Sequence, residues 1–420
     1  MKLLVVGSGG REHAVIRKLK ENKEIEKIYC APGNGGISAD AECVDIKATD
    51  KENMVKFAKE NAIDFCVVTP DDPLALGMVD EMEEAGIPCF GPKANAAIIE
   101  ASKAFSKDLM KKYGIPTADY ETFDNEKDAL HYIEEKNTFP IVIKADGLAL
   151  GKGVLICETL DDAKTALREM MVEHVFGLSG NKVVVEEFMT GKEVSVLAFT
   201  DGNVVKPMIS SMDHKRAYDN DEGLNTGGMG TIAPSPYYTK EIAETCMETI
   251  FLPTVKAMNA EGRTFKGCLY FGLMLTPKGP RVVEYNCRFG DPETQVVLPL
   301  LNSDLLTIMK ACHDGTLKDV DVVWSEEACA CVVEASGGYP VKYEKGFEIH
   351  GLDENGQHDG VIVYHAGTKK ENGKFYTNGG RVLGITAKGA TLQDALDKVY
   401  EAVKEIGFDK MHYRTDIGKK

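Results

Sequence analysis

The run Arg281-Val-Val-Glu284-Tyr-Asn286-Cys-Arg288-Phe-Gly290-Asp291-Pro292-Glu293-Thr294 crowds groups fit for chemistry into one short segment. Val282, Val283 and Tyr285 predict a strand that breaks into a loop at Gly290 and Pro292. Side chains alternate across a strand, so Glu284 and Asn286 face the same way, about 7 Å apart along the chain. A carboxylate beside an amide oxygen is a hard-oxygen pair. Mg²⁺ accepts such a pair when phosphate oxygens and water fill its other positions. Arg288 offers a two-pronged donor to a carboxylate or a phosphate. Taken alone, Glu284 reads as the charged end of an exposed strand. The convergence of Glu284, Asn286, Arg288, Asp291 and Glu293 on one strand-to-loop junction favours a site.

A second candidate lies upstream. Pro140-Ile-Val-Ile-Lys144 predicts one strand and Val154 to Cys157 another, joined by Ala145-Asp-Gly147-Leu-Ala-Leu-Gly151-Lys152-Gly153. A glycine-rich loop between strands is not a Walker A loop, which opens a helix with G-K-[ST]. It suits a flap over phosphates, with Gly151, Lys152 and Gly153 facing the anion and Lys144 placed for an α- or β-phosphate. The plain alternative is a mobile hairpin tip with a solvated lysine. Lys182 to Met189 runs a strand into Glu186, Glu187 and Phe188. In a nucleotide enzyme, adenine meets backbone there and ribose a carboxylate; otherwise it is a strand end with a solvated charge pair. Ser210 to Arg216, carrying Asp213 and Lys215, and Asn225 to Gly230 gather cations, an acid and glycines into loops longer than a bare connection needs. His214 reads as a hydrogen-bonding loop residue.

The elements that position these groups begin with Leu3-Leu-Val-Val6 and the turn Gly7-Ser-Gly9-Gly10-Arg-Glu12-His, a buried parallel strand feeding a helix. Further strands are expected over Ile25 to Cys30, Cys43 to Ile46, Ile63 to Val68 and Pro88 to Phe90. Together they predict a doubly wound domain with ligand loops at the strands' carboxyl ends: Gly7 to His13, Ala31 to Gly36 and Thr69 to Leu74. A dinucleotide fingerprint wants glycine where Glu12 stands and an acid where the second strand ends in Ala31-Pro32-Gly33, so a dehydrogenase is the weaker reading. A helix is expected from Lys93 to Lys112, closed by Gly114-Ile-Pro116. A hairpin turns at Asp201-Gly202, and Gly267 to Leu275 turns through Pro277-Lys-Gly-Pro into the strand bearing Glu284. Beyond about Ser325, short strands and a helix over Leu392 to Val403 suggest a small α+β unit.

The chain has 420 residues, which at roughly 150 residues per domain suggests about three domains. A net charge of −17 with no Lys/Arg-rich run disfavours nucleic acid and anionic membrane as partners. The 11 cysteines lack any C-x-x-C pair, which fits reduced, buried thiols and a cytoplasmic protein. No apolar run reaches the roughly 18 residues a bilayer demands.

The segments V-V-G-S-G-G-R-E-H-A at 5–14, A-P-G-N-G-G at 31–36, K-A-D-G-L-A-L-G-K-G-V at 144–154, D-H-K-R at 213–216, N-T-G-G-M-G at 225–230 and E-Y-N-C-R-F-G-D-P-E-T-Q at 284–295 resemble the phosphoribosylamine–glycine ligase family of the ATP-grasp superfamily. The resemblance runs nearly end to end in the same order. One departure is Thr69-Pro70-Asp71-Asp72-Pro73-Leu74, where the family shows G-P-E-x-P-L. The resemblance implies an α/β and α+β multidomain ATP-grasp fold: a doubly wound amino-terminal domain over 1–101, an ATP-grasp domain over 102–325 with a mobile lid at about 118–190, and a carboxyl-terminal α+β domain over 326–420. It implies ATP, Mg²⁺ or Mn²⁺, glycine and 5-phosphoribosylamine as cofactors and substrates, and a transient contact with the enzyme that makes the amine. It also implies roles for single residues. Glu284 and Asn286 hold the metal, and Lys103, Lys144 and the flap hold the triphosphate. Glu186, Glu187, Phe188 and Glu193 surround adenosine, and Arg288 orients glycine's carboxylate or the transferred phosphoryl group. Asp213 and Asp291 receive glycine's ammonium, and Gly9, Gly10, Asn34 and Lys215 contact phosphoribosylamine. Another ATP-grasp carboxylate–amine ligase or a carboxylase is the alternative.

Overall fold

The structure is a computed structural model that describes residues 1–149 and 153–419, so Gly151 and Lys152 of the expected flap lie outside the described residues. At the amino end, strands Lys2–Gly7, Lys27–Pro32, Glu42–Cys43, Phe65–Val68 and Cys89–Phe90 form a parallel sheet with Lys2–Gly7 at its centre. Leu3 to Val6 and Phe65 to Val68 are buried on both faces, as parallel strands flanked by helices require. The strand expected over Cys43 to Ile46 shrinks to Glu42–Cys43 at the sheet edge.

The helix expected over Lys93 to Lys112 is two helices, Ala94–Ala101 and Lys103–Tyr113. Ser102 between them is extended and caps the second, accepting from the Phe105 N–H at 3.1 Å. Asp146 strengthens the break, accepting from Ala104 N–H at 2.7 Å and from the Ser102 hydroxyl at 3.0 Å. Lys103 is thereby set at a helix start, where its Nζ donates to the Gly147 carbonyl at 2.9 Å.

The segment expected as a lid builds a second sheet, in the order Tyr120–Phe123, Val183–Glu187, Ile141–Ala145, Val154–Cys157. Helices Glu126–Lys136 and Leu160–Leu167 back it, and Ile133, Ile143, Leu167 and Val185 belong to its own core. The central sheet runs Val205–Pro207, Lys192–Thr200, Gly267–Thr276, Gly279–Asn286, with the hairpins at Asp201-Gly202 and before Gly279 closing as expected.

In the carboxyl-terminal part, strands Ala328–Ser336, Arg381–Gly389 and Ile362–His365 pair antiparallel, and helix Leu392–Val403 buries Leu396, Val399 and Val403 against them. The same sheet takes in Gly230–Ala233 and Met212–Asp213 from the central part of the chain. It therefore reaches back across residue 325. Strands of four and two residues carry too little alternation to announce this in sequence. All 11 cysteines are free thiols, and all but Cys43 are buried. Among the described residues, no helix is long and apolar enough to cross a membrane.

Candidate functional site

Strand Gly279–Asn286 pairs with Gly267–Thr276, and the register slips once: Gly272 faces Glu284 while Leu273 faces Val282. Val283 is thus the extra residue of a β-bulge, a device that re-aims the side chains beside it. Its carbonyl accepts from Lys144 Nζ at 3.1 Å, tying the two strands whose sequences promised chemistry. After the bulge, alternation resumes, and Glu284 and Asn286 stand on one face opposite Gly272 and Tyr270. Glycine suits position 272, because a Cβ there meets Glu284 Cγ at 3.1 Å.

Glu100, in helix Ala94–Ala101, organises the end of this strand and was missed by sequence reasoning. Its two oxygens accept from Asn286 Nδ2 at 2.9 Å and Cys287 N–H at 2.7 Å, and Arg288 Nη2 lies 3.0 Å away. Burial raises its carboxyl above the ordinary value, with Arg288 opposing. The only signal available was one acid inside the apolar run Ala94-Asn-Ala-Ala-Ile-Ile-Glu-Ala101. With Nδ2 turned to Glu100, Asn286 keeps its amide oxygen for another partner. Arg288 Nε is buried and without a partner among the described residues.

Cations ring Glu284. Lys215 Nζ lies 3.8 Å from Glu284 Oε1 and 3.5 Å from Glu193 Oε2. Burial pushes the Glu284 carboxyl up, but Lys215, Lys144, Lys103 and Arg288 outweigh it and hold it below its ordinary value. Glu193 first, with Glu284 adding to it, sets the Lys215 ammonium well above its ordinary range although burial opposes. Burial chiefly lowers Lys103, with Lys144 adding to the effect. Lys144 also meets Glu186 at 3.0 Å, and Glu186 meets Lys107 at 3.2 Å. Lys107, a second missed residue, donates to Thr117 Oγ1 at 2.7 Å, and burial brings its ammonium down to about 8. Both lysines meet Glu186 through Oε2, and its buried Oε1 has no partner among the described residues. Glu187 is exposed, 3.7 Å from Arg281, and Phe188 follows it half-buried. Gly153 is buried, its carbonyl accepting from Ala145 N–H at 2.8 Å. Among the described residues, no three His, Cys, Asp or Glu side chains converge on a metal centre. What the strand offers is a two-oxygen face amid positive charge.

A separate cleft of about 320 Å³ opens where the amino-terminal turns, the Asp291 loop and the carboxyl-terminal part meet. Gly9, Asn34, Asp291, Thr368, Asn378 and Arg381 are among the residues lining it. Gly10 abuts the same loop: a Cβ on it meets Gln295 Nε2 at 2.6 Å. Asn34 is already saturated, donating to the Ser8 and His365 carbonyls and accepting from Gly36 and Ile37 N–H. The Gly9 N–H donates to Glu12 Oε2 at 2.6 Å, and Thr69 Oγ1 donates to Glu12 Oε1 at 2.7 Å. The glutamate that departs from the dinucleotide fingerprint thus caps its own turn, and Thr69 braces it.

Asp291 is held below its ordinary value: burial opposes, but Arg381 and Arg11 prevail. It accepts from Gln295 Nε2 at 2.8 Å and lies 3.5 Å from Arg381 Nη2. Asp213 behaves in the opposite way. Burial, with Glu293 adding to it, pushes its carboxyl well above the ordinary range despite Lys215 and Arg381. Asp213 lies beside this loop, since a Cβ on Gly228 meets both Pro292 Cδ and Asp213 Oδ1. Lys215 stands with Glu193 and Glu284 and is not among the cleft's lining groups. Arg381, Thr368 and Asn378 lie far along the chain from any motif, and sequence reasoning passed over them.

Comparison with known proteins accounts for the chain end to end. Family models match residues 1–100 (phosphoribosylglycinamide synthetase, N domain), 101–294 (phosphoribosylglycinamide synthetase, ATP-grasp (A) domain) and 329–420 (phosphoribosylglycinamide synthetase, C domain). A phosphoribosylamine–glycine ligase of Caldanaerobacter subterraneus subsp. tengcongensis is 49% identical over 417 residues, 99% of each chain. One of Clostridium acetobutylicum is 48% identical over 419 residues, 100% of each. The crystal structure of the phosphoribosylamine–glycine ligase of Thermotoga maritima superposes with a TM-score of 0.88 at 32% identity, covering 100% of both chains. The biotin carboxylase domain of Hydrogenobacter thermophilus 2-oxoglutarate carboxylase shares the fold alone, with a TM-score of 0.74 at 18% identity over 98% of this chain and 91% of that one.

Proposed function

This chain belongs to the phosphoribosylglycinamide synthetase family, and we propose that it joins glycine to 5-phospho-β-D-ribosylamine with ATP. The products are ADP, phosphate and N1-(5-phospho-β-D-ribosyl)glycinamide, a step of purine biosynthesis. The observation that carries the reading is 49% identity across 417 residues to a ligase of that name, with Lys144 and Lys215 brought to the strand that bears Glu284 and Asn286.

An amine does not displace oxide from a carboxylate at neutral pH, so glycine has to be activated. In the first step a glycine carboxylate oxygen attacks the γ-phosphorus of ATP, the bond from that phosphorus to the β-bridging oxygen breaks, and ADP leaves. In the second the ribosylamine nitrogen attacks the acyl carbon of the glycyl phosphate. The carbon–oxygen bond to phosphate breaks, and the nitrogen gives up one proton. Such chemistry asks the protein for positioning and charge neutralisation more than for a nucleophile.

Lys144, Lys103 and Lys107 sit where a triphosphate needs cations, beside the flap loop that Lys103 holds through Gly147. Half-buried Phe188, the exposed Glu187 and Glu193, and Glu186, whose buried Oε1 has no partner among the described residues, border the adenosine end. Arg288, fixed by Glu100 and with Nε unpartnered, receives glycine's carboxylate. Asp213, a buried acid whose carboxyl gains from a nearby cation, receives the ammonium. Asp291, already bound to Arg381 and Gln295, shapes the cleft that takes phosphoribosylamine between Gly9, Gly10, Asn34 and Arg381. The ionised Glu284 and the free amide oxygen of Asn286 fit Mg²⁺ or Mn²⁺. When bound there, the ion neutralises charge on the terminal phosphates. A cytoplasmic site of action and a transient contact with the source of the labile amine belong to the same reading. ADP release tests it: sustained, multiple-turnover release is expected only with glycine and fresh phosphoribosylamine together, and bicarbonate-dependent release without either would point to a carboxylase instead.

A further inference from the structure

We infer that His13 is a positioning residue for the phosphoribosylamine cleft, clamping the carboxyl-terminal loop 365–368 onto the amino-terminal turns. The inference rests on the cleft assignment made above. His13, in helix Gly10–Leu19, is fully buried. Its Nδ1 accepts the backbone N–H of His365 at 2.8 Å, from a residue 352 positions away, and its Nε2 lies 2.9 Å from Asp40 Oδ2. A ring nitrogen that accepts from a backbone donor carries no proton, so the proton sits on Nε2 and is donated to Asp40. Asp40 also carries Lys20 Nζ at 2.7 Å and Arg17 at 3.6 Å, which balance its charge without help from the imidazole. Burial accordingly favours the neutral ring, with Asp40 opposing only in part.

The clamp acts on the cleft wall. The carbonyl of the same His365 accepts from Asn34 Nδ2 at 2.8 Å, and Gly35 N–H donates to the Thr368 carbonyl at 3.0 Å. The His365 ring is itself fixed, with Nε2 2.8 Å from the Gly356 carbonyl and Nδ1 3.0 Å from Thr368 Oγ1. A carbonyl only accepts, so Nε2 donates to it and Nδ1 accepts the threonine hydroxyl. Gly36 permits this packing, since a Cβ there would meet the His365 ring at 2.1 Å. His13 and Asn34 thus grip both backbone polar groups of one residue. Ala366, Gly367 and Thr368, which follow that residue, line the same cleft as Gly9. None of these bonds reaches Glu284, Lys144 or the flap.

Steady-state kinetics of the full-length enzyme with each substrate varied in turn tests the inference. His13→Leu, which removes the acceptor, should raise KM for phosphoribosylamine roughly tenfold or more, the scale of one buried hydrogen bond, and leave KM for ATP and glycine within about twofold. His13→Asn keeps an acceptor where Nδ1 stood and should restore most of the affinity; His13→Gln, whose amide falls farther out, should not. Should the leucine variant fail to fold, the asparagine and glutamine pair decides. Wild-type KM for the amine in Leu and Gln variants, with only a lower melting temperature, overturns the positioning role. A rise confined to ATP or glycine overturns the cleft assignment instead.

Discussion

Glu100→Gln is the sharpest perturbation available, because it changes one atom beneath the metal face without touching the face. Three donors converge on this carboxylate: Asn286 Nδ2 and Arg288 Nη2 on one oxygen, Cys287 N–H on the other. A glutamine has one accepting oxygen, so either Cys287 N–H meets an amide N–H₂, or Asn286 and Arg288 both do. The first orientation is the milder. It strands one buried donor, costing about 1–3 kcal/mol, and leaves a buried guanidinium without its carboxylate. Removing one partner of a buried pair costs about 3–5 kcal/mol, so the two effects together place the loss near the upper end of that range. Asn286 and Arg288 would shift with the strand end, and a displacement of about 1 Å in a positioning group costs roughly 100-fold in rate. The assay is kcat across a magnesium titration, with a urea midpoint measured alongside. The expected result is a kcat lower by one to two decades, a higher magnesium requirement and a lower midpoint. Unchanged kcat and magnesium dependence would refute the idea that Glu100 sets the strand end.

Other outcomes follow from the same geometry. Glu284→Gln should lower kcat by roughly 100-fold or more while circular dichroism stays native, since it leaves the hard-oxygen pair without its charge. Lys144→Met frees the Val283 carbonyl and leaves Glu186 to Lys107 alone, so KM for ATP should rise about tenfold or more with KM for glycine little changed. Glu334 is fully buried, both its oxygens lack a partner among the described residues, and burial alone drives its carboxyl well above the ordinary value. As pH rises past the ordinary carboxylate range, the unfolded chain releases a proton that the folded chain keeps, so this group costs stability progressively until its folded-state value is reached. Glu334→Met should therefore raise the urea midpoint at pH 8 by the equivalent of about 1–3 kcal/mol and flatten its decline between pH 5 and 8. A midpoint that moves equally at all pH values would contradict the sign.

The fold was readable wherever a pattern was long. Leu3 to Val6 and the Glu284 strand announced themselves through apolar runs and the turns that bound them. The break at Ser102 did not, because its cap is completed by Asp146, which lies 44 residues away. The short strands Met212–Asp213 and Gly230–Ala233 join a sheet whose other members lie a hundred residues on, and pairing at that distance leaves no local trace. The site divides in the same way. Glu284, Asn286, Arg288 and Lys144 sit in compact motifs and were singled out. Glu100, Lys107 and Arg381 act through long-range contacts, and each looks like an ordinary helix or strand charge in isolation. The protein bonds that occupy all of Asn34's polar atoms, and the two lysines on Glu186 Oε2, are matters of tertiary pairing that residue type does not reveal.

The central claim is that a phosphoryl group passes from nucleotide to the glycine carboxylate before the amine attacks. Glycine labelled with ¹⁸O in its carboxylate tests this most directly: mass spectrometry of the inorganic phosphate should find one ¹⁸O per turnover, carried over when the acyl carbon–oxygen bond breaks. Phosphate free of label, with one ¹⁸O kept in the product amide and the other lost to water, would contradict the account.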